Sequence, residues 1–211
     1  MKKSNLDKKK FSIKFLIIGE SYIGKTSIIY RIIHNEFKDY FYNPFGIDYQ
    51  NRIMEIGSNL VNILFYDTPG RNYMRNTLKS YYKRVNGFLL VYDITSRQSF
   101  TELKSWLQDF QNQNLINQAV ICLVGNKSDL EDKRVITYEE GRQLAEENCF
   151  CFCEISAKTG FGINEMINNV SEEIIEKMKY DEEKKQKINK INKPTPLQLI
   201  NNNRADERCA C

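Results

Sequence analysis

A glycine-rich loop near the start of the chain is the sequence feature that most constrains its fold. Residues 19–26 fit the pattern G-x-x-x-x-G-K-[ST], in which backbone N–H groups surround nucleotide phosphates, the lysine reaches the outer phosphates and the hydroxyl ligates Mg²⁺. We therefore predict a phosphate-binding loop, although a plain turn between a strand and a helix can carry the same pattern. The residues of the predicted loop are Gly19, Glu20, Ser21, Tyr22, Ile23, Gly24, Lys25, Thr26 and Ser27.

The segments on either side of this loop favour phosphate binding over a plain turn. Residues 11–18 alternate between polar and apolar and then become fully apolar, which is typical of a strand entering a buried parallel sheet. After the loop, four isoleucines recur at helical spacing and predict one buried helix face. These are Ile28, Ile29, Ile32 and Ile33.

Further apolar runs extend this alternation of strands and helices. The patterns predict a hairpin (47–56 and 60–66), three buried strands (87–93, 119–124 and 150–155) and three helices (99–110, 138–147 and 164–178). This order predicts an α/β fold, with a mostly parallel sheet covered by helices on both faces. We expect residues 1–10 to be a disordered extension, residues 11–178 to form the domain, and residues 179–211 to form a flexible tail, with a mobile linker over about 180–208.

Composition excludes several other classes of protein. With 211 residues, of which 41% are hydrophobic, the chain can form one domain with a core. A net charge of +4 is too small to indicate nucleic-acid binding. No apolar run approaches the roughly 20 residues of a membrane span, and the N-terminus does not resemble a secretory signal. We expect the body of the protein to be cytosolic.

Four of the six cysteines lie in apolar stretches that resemble strands: Cys122, Cys149, Cys151 and Cys153. We predict buried small side chains at these positions in preference to disulfides or a metal site. The alternating spacing of the last three predicts that they share one face of the sheet.

Polar residues follow several of the apolar runs, where ligands bind in open α/β sheets. Asp67 ends one run and is suited to hold Mg²⁺. Asn126, Lys127 and Asp129 form an N-K-x-D motif after another. A carboxylate such as Asp129 can accept two parallel N–H bonds from guanine, which adenine cannot offer, so guanine is the expected base. The alternative for this motif is an ordinary polar loop.

These motifs together resemble the Ras-like small GTPases, and most closely the Rab family. The resemblance covers residues 11–178 and the C-terminus; it includes segments 46–49, 80–83, 90–95, 99–100, 106–107 and 154–160. It implies the P-loop small GTPase fold, with a six-stranded sheet and five helices. It also implies GTP and GDP as ligands, Mg²⁺ as cofactor, hydrolysis of GTP to GDP and phosphate, and two switch segments that respond to the γ-phosphate.

The same resemblance implies a role for each matched site residue. Lys25 contacts the β- and γ-phosphates, Thr26 and Asp67 hold Mg²⁺, and Gly70 contacts the γ-phosphate through its N–H. The residues assigned to the guanine base and its pocket are Phe37, Asn126, Lys127, Asp129, Ser156, Ala157 and Lys158.

Departures from the family pattern cluster around the phosphates. Pro44 stands where the family has a threonine that serves Mg²⁺ and the γ-phosphate, and proline supplies neither a hydroxyl nor an N–H, although Asn43 is a conceivable substitute. Arg71 replaces the glutamine that orients the attacking water, and it has only donors. Tyr22 stands where a small residue is usual. We predict retained GTP binding, very slow or partner-dependent hydrolysis and a weakened switch; the alternative for Arg71 is an arginine finger acting in cis.

The resemblance extends to partners and to the membrane. It implies an effector surface formed by Phe45, Ile47, Tyr49, Tyr66 and Tyr81, although Tyr66 can equally pack on the sheet. The terminal Cys209 and Cys211 resemble a C-x-C signal for two geranylgeranyl groups; an unmodified tail is the alternative. The expected partners are effectors, an exchange factor, a GTPase-activating protein and the machinery of prenylation and membrane extraction.

These features predict a monomeric switch in vesicle traffic, on the cytoplasmic face of an endomembrane with an extracted cytosolic pool. The second hypothesis is a nucleotide-loaded scaffold that recruits effectors without a hydrolytic cycle. An unrelated P-loop kinase or ATPase is the third.

Overall fold

A computed structural model describes residues 10–40, 46–70 and 75–191 of the chain. Its sheet has six strands in the order β2-β3-β1-β4-β5-β6. Four neighbouring pairs are parallel, and only the edge pair β2–β3 is antiparallel. The strands are β1 (Lys10–Ile18), β2 (Asp48–Ile56), β3 (Asn59–Asp67), β4 (Gly87–Asp93), β5 (Val120–Asn126) and β6 (Cys151–Glu154). The predicted mostly parallel sheet and its hairpin are confirmed.

Strand order creates a binding crevice next to β1. The chain leaves β1, returns through β3 on one side, and later passes to β4 on the other side. Such a reversal of direction leaves a gap beyond the carboxyl ends of the strands, where ligands bind in this class of sheet. The glycine-rich loop follows β1 directly and so begins at this gap.

The described residues form six α-helices. They are α1 (Lys25–His34), α2 (Arg75–Tyr82), α3 (Arg97–Thr101), α4 (Leu103–Asn112), α5 (Tyr138–Glu147) and α6 (Ile163–Ile191). The sequence patterns did not predict α2, and the predicted helix 99–110 is split in two. Only Glu102 separates α3 from α4, and its φ of −66° and ψ of −15° are those of a right-handed helix. The pair therefore corresponds closely to the single predicted helix.

Helices cover both faces of the sheet. On one face, Leu16 and Leu90 belong to a core cluster that also contains Leu78 of α2, Trp106 of α4 and Ala145 of α5. On the other face, a Cβ built on Gly87 would lie 2.7 Å from the Phe15 ring and 2.8 Å from Ile174 Cδ1 of α6. Successive side chains of a strand point to opposite faces, so the fully apolar runs of β1 and β4 supply both layers at once.

Helix α6 continues beyond the predicted end at residue 178, to Ile191. Residues 180–191, predicted to be a mobile linker without regular structure, are therefore helical, while residues 192–208 lie outside the described part of the chain. Residues 179–191 are rich in lysine and glutamate, which are good helix formers, and Asp181 with Lys185 and Glu183 with Lys187 have the favourable i,i+4 spacing. The chain divides into two compact units, residues 1–174 and 175–211, and the first contains the sheet.

One cysteine departs from the prediction of buried strand positions. Cys149 is exposed, with a φ of 56°, in the turn between α5 and β6, because the strand begins only at Cys151. Cys122 is buried, and Cys151 and Cys153 are half-buried on the same face, as their alternation predicts. All four are free thiols. Among the described helices, none is long and apolar enough to cross a membrane.

Close packing of α5 against β4 gives a stability prediction. Gly141 is buried in α5, and a Cβ there would overlap Tyr92 Oη and lie 2.7 Å from Phe152 Cζ. We expect Gly141→Ala to lower the free energy of unfolding by about 1–3 kcal/mol, although alanine is the better helix former. Denaturant unfolding at a fixed concentration of ligand measures this change.

Tyr92→Phe is the matched second variant for this prediction. Tyr92 Oη is buried and has no hydrogen-bond partner among the described residues, so its removal alone should cost little. In the double variant the phenylalanine should recover part of the loss, because the Oη contact is gone. If Gly141→Ala lowers the free energy of unfolding by the same amount with and without Tyr92→Phe, the contact with Tyr92 Oη does not cause the loss.

Candidate nucleotide-binding site

Five strand ends bring the predicted site residues to one edge of the sheet. The loop 19–24 follows β1, Asp67 ends β3, Asp93 ends β4, Asn126 ends β5, and residues 155–158 follow β6. Because these five strands are mutually parallel, their carboxyl ends lie side by side. The sequence spreads these residues over more than 130 positions, and the fold gathers them.

Two glycines allow the phosphate loop to lie close to its neighbours. Gly19 has a φ of 136°, and a Cβ there would overlap the Val91 carbonyl oxygen. Gly24 has a φ of 95° and caps α1 without a side-chain hydrogen bond; its Cβ would overlap Asn126 Nδ2. Glycine adopts such φ values readily and brings no Cβ. The first N–H groups of α1 therefore remain uncapped by a side chain, as an anion site at a helix N-terminus requires.

Lys25 lies at the bottom of this loop. Its side chain is buried, and Nζ donates to the Glu20 carbonyl oxygen at 2.5 Å. Burial lowers the pKa of the ammonium to about 8, although the nearby carboxylates of Asp67 and Glu20 act in the opposite direction. The protein alone thus supplies incomplete compensation for this charge. An anion bound beside Nζ would complete it.

Asp67 and Thr26 form a candidate metal-binding pair. Thr26 Oγ1 donates to Asp67 Oδ2 at 2.6 Å, whereas the buried Asp67 Oδ1 has no hydrogen-bond partner among the described residues. Burial raises the pKa of the Asp67 carboxyl, against the opposing effects of Thr26 and Lys25. An orphaned carboxylate oxygen beside a hydroxyl fits a hard divalent cation. The described residues contain no group of three metal-ligating side chains, so phosphate and water oxygens would supply the remaining ligands.

The segment after β3 lies against the phosphate loop. Ser21 Oγ is 3.1 Å from the carbonyl oxygens of both Pro69 and Gly70 and donates to them. Gly70 has a φ of 67°, and a Cβ there would lie 2.7 Å from the Glu20 carbonyl group. Gly70 is thus adjacent to Lys25 and the phosphate loop.

A cavity of about 240 Å³ adjoins the phosphate loop and contains most residues predicted to contact the base. Its lining residues are Tyr22, Gly24, Ser27, Phe37, Asp39, Asn126, Lys127, Asp129, Leu130, Ala157 and Lys158. Nine of these eleven were predicted, and Asp39 and Leu130 were not. The structure thus brings these side chains together, while their binding roles remain predictions.

Asn126 joins the loops that surround this cavity. The side chain is 1% exposed; Nδ2 donates to the Ile23 carbonyl oxygen at 2.8 Å, and Oδ1 accepts from the Ala157 N–H at 3.2 Å. Ser156 Oγ donates to Asp129 Oδ1 at 2.6 Å. A hydroxyl donor on one oxygen fixes the Asp129 carboxylate, which can still accept hydrogen bonds from a base.

Lys127 connects the base loop with the phosphate loop. Its Nζ donates to the Tyr22 carbonyl oxygen at 3.1 Å and forms an ion pair with Asp93 Oδ2 at 2.5 Å. Asp93 was not assigned a role from the sequence, although an acidic residue at the end of a buried strand is a usable signal. Tyr22 itself is 84% exposed, with a φ of 65°. Its side chain borders both the base cavity and a neighbouring cavity of about 370 Å³.

The predicted effector residues differ in exposure. Tyr49 is 68% exposed, whereas Ile47, Tyr66 and Tyr81 are partly buried against the core, and the Tyr66 and Tyr81 rings meet edge to face at 5.3 Å. Tyr66 therefore packs on the core as well as reaching the surface. The remaining predicted residues lie outside the described part of the chain: Asn43, Pro44, Phe45, Arg71, Cys209 and Cys211.

Comparison with known proteins agrees with this geometry. The model of the Ras family matches residues 14–176. Similar proteins include Ras-related protein Rab-4 of Dictyostelium discoideum, 36% identical over 168 residues, which are 80% of this chain and 82% of the relative. Human Rab-4B is 36% identical over 80% of this chain and 78% of its own, and bovine Rab-4A is 36% identical over 82% and 78%. The predicted resemblance is confirmed: the chain belongs to the Ras family and is a Rab-like small GTPase, a GTP-binding protein of vesicle trafficking.

Proposed function

We propose that this GTPase holds guanine nucleotide and Mg²⁺ through the residues described above, and that it hydrolyses GTP slowly or only with a partner. One observation carries the proposal: the predicted base cavity adjoins the loop that leads to the buried Lys25. Asn126 lines this cavity and donates to that loop at Ile23. A nucleotide whose base lies in the 240 Å³ cavity would direct its phosphates toward Lys25 and the start of α1.

Guanine selectivity rests on Asp129. Ser156 occupies one of its oxygens, so the carboxylate has a fixed orientation when a base arrives. Guanine offers N1–H and N2–H to a carboxylate, whereas adenine would leave it without a donor, at a cost of several kcal/mol. Phe37, Ala157 and Lys158 complete the walls of the same cavity.

Thr26 and Asp67 are the residues that would hold Mg²⁺. A bound divalent ion would offset negative charge on the β- and γ-phosphates. The orphaned Asp67 Oδ1 supports this assignment, because a buried carboxylate oxygen is costly unless a donor or a cation meets it. Lys25 and the N–H of Gly70 would contact the phosphate oxygens from the protein side.

Slow hydrolysis follows from two departures from the family pattern, at positions 71 and 44. Arg71 cannot accept a hydrogen bond from an attacking water, and Pro44 lacks the hydroxyl and N–H of threonine. Binding depends on other residues and is retained. If hydrolysis is absent altogether, the protein is a nucleotide-loaded scaffold that recruits effectors. The alternative is that Arg71 acts as an arginine finger and supports hydrolysis.

Effectors, an exchange factor and a GTPase-activating protein are general partners of this family. We further propose that Phe45, Ile47, Tyr49, Tyr66 and Tyr81 contact effectors, that the G domain is monomeric, and that Cys209 and Cys211 each carry a geranylgeranyl group. Two lipid chains give stable anchoring where one is marginal. The lipids and the extraction machinery then account for a membrane pool and a cytosolic pool. Mass spectrometry of the cellular protein tests the lipids.

Nucleotide content and turnover test the proposal directly. Purified protein should contain GDP or GTP and should release phosphate from GTP much more slowly than a Rab-4 protein assayed beside it.

The double variant Arg71→Gln, Pro44→Thr should raise the rate of GTP hydrolysis by about tenfold or more, because it restores a hydrogen-bond acceptor for the attacking water and a hydroxyl.

Arg71→Ala separates the two roles considered for this residue. If Arg71 only lacks the function of glutamine, alanine leaves the basal rate nearly unchanged. A marked fall in rate would favour the arginine finger instead. Ordinary turnover by the unmodified chain would contradict slow hydrolysis, and purified protein without guanine nucleotide would contradict the binding site.

A weakened switch is the second expectation from Pro44. A ligand orders a segment only as far as its contacts differ between the two states, and proline removes two contacts to the γ-phosphate side. Hydrogen exchange over residues 38–48 should therefore differ little between the GDP form and a form with a non-hydrolysable GTP analogue. The Pro44→Thr variant should widen that difference; strong protection by the analogue in the unmodified chain would be the opposite outcome.

The lowered pKa of Lys25 predicts proton uptake on nucleotide binding. With a pKa of about 8, half of these side chains are neutral at pH 8 in the free protein, and bound phosphate raises the pKa by favouring the ammonium. Binding should take up about half a proton at pH 8 and about a tenth at pH 7, and affinity should fall above pH 8.

Titration calorimetry of GDP in buffers of different ionisation enthalpy measures this uptake. At pH 8 the terminal phosphate of GDP, with a second pKa of about 6, is almost fully ionised, so uptake there reports Lys25; at pH 7 the protons that this phosphate loses on binding are subtracted first. Equal uptake at pH 7 and pH 8 would show that Lys25 is fully charged before the phosphate arrives.

A further inference from the structure

Arg31 of α1 joins one wall of the base cavity to the turn that leads to Phe37. Its Nε donates to the Ala157 carbonyl oxygen at 2.9 Å, Nη1 donates to the Asn35 carbonyl oxygen at 2.8 Å, and Nη2 donates to the Lys158 carbonyl oxygen. Ala157 and Lys158 line the cavity, and Asn35 lies two residues before Phe37, which also lines it. One guanidinium therefore ties together segments more than 120 residues apart.

The turn after α1 depends on the same residue. Asn35 has a left-handed φ of 56°, and its N–H donates to the Arg31 carbonyl oxygen at 2.9 Å. Its own carbonyl accepts from the Arg31 guanidinium, so Arg31 contacts both backbone polar groups of Asn35. This turn directs the chain from α1 toward Phe37.

The loop after β6 is held from both sides. The Ala157 N–H donates to Asn126, and the Ala157 carbonyl accepts from Arg31. A base held between Phe37 and Ala157 would be released more readily when these residues move apart. Their separation stretches the hydrogen bonds of Arg31, which charge makes stronger than neutral ones.

We infer that Arg31 is a positioning residue for the guanine pocket and sets the lifetime of the bound nucleotide. The inference rests on the proposed function, because it assumes that the base occupies the 240 Å³ cavity. The planar fork of arginine suits three carbonyls in different directions; lysine, with a single nitrogen at its end, cannot span all three.

Dissociation of a fluorescent GDP analogue from the full chain, chased with excess GDP, tests the inference. Arg31→Met should release the analogue about 10- to 100-fold faster, because three charge-assisted hydrogen bonds are lost. Arg31→Lys should fall between this variant and the unmodified chain.

Arg52→Met is the matched control. The Arg52 guanidinium also donates to a carbonyl of α1, that of Ile32, but Arg52 does not line the base cavity. Its release rate should stay within about twofold of the unmodified chain. Equal acceleration in both variants would mean that general loosening of α1 is responsible, and would overturn the inference.

A comparison of GDP with inosine diphosphate adds a readout that global stability does not affect. Inosine lacks the exocyclic amine that donates to Asp129, so the unmodified chain should release it faster. In Arg31→Met this ratio should shrink, because the walls no longer hold the base against Asp129. An unchanged release rate and ratio would overturn the inference alone; failure of the unmodified chain to bind GDP would overturn the proposed function as well.

Discussion

The amide of Asn126 is the interaction on which the rest of the site depends. It donates to the phosphate loop at Ile23 and accepts from the loop after β6 at Ala157, and it lies where a Cβ on Gly24 would be. The amide suits both partners because its donor and its acceptor are separate atoms, so that each can face a different loop. The loops predicted to bind the base and the phosphates are therefore parts of one connected structure, and Gly24 leaves room for Asn126 as well as for the predicted anion.

Most of the fold could be predicted because its strands are buried on both faces. A strand of that kind is an apolar run, and β4 was predicted at its observed bounds, Gly87–Asp93. The errors occur where the local pattern is weak. Helix α2 is short, and its apolar stripe consists only of Leu78, Tyr81 and Tyr82. The extension of α6 depends on intrinsic propensity and charge spacing, which an analysis of core-facing periodicity does not detect.

The candidate site likewise contains residues that the sequence predicts and residues that it does not. Some site residues belong to motifs with fixed local spacing, and the structure gathers those of the phosphate loop, of N-K-x-D and of the loop after β6. Residues that act through distant backbone groups have no such pattern. Arg31 donates to carbonyls at positions 157 and 158, and any residue can supply a carbonyl, so nothing in the local sequence marks the contact. Asp93 pairs with Lys127 across two neighbouring strands, and only the strand order reveals the pair.

Tyr22 has a consequence for ligand chemistry. A tyrosine in the left-handed region costs about 1 kcal/mol relative to glycine, and with 84% of its surface exposed the side chain regains little through packing. The ring is an apolar, flat surface at the rim of the base cavity, where the family pattern has a small residue. A guanine nucleotide extended by an aromatic substituent would find a stacking partner at that rim. Tyr22 therefore gives such a substituent an exposed aromatic contact at the rim of this cleft.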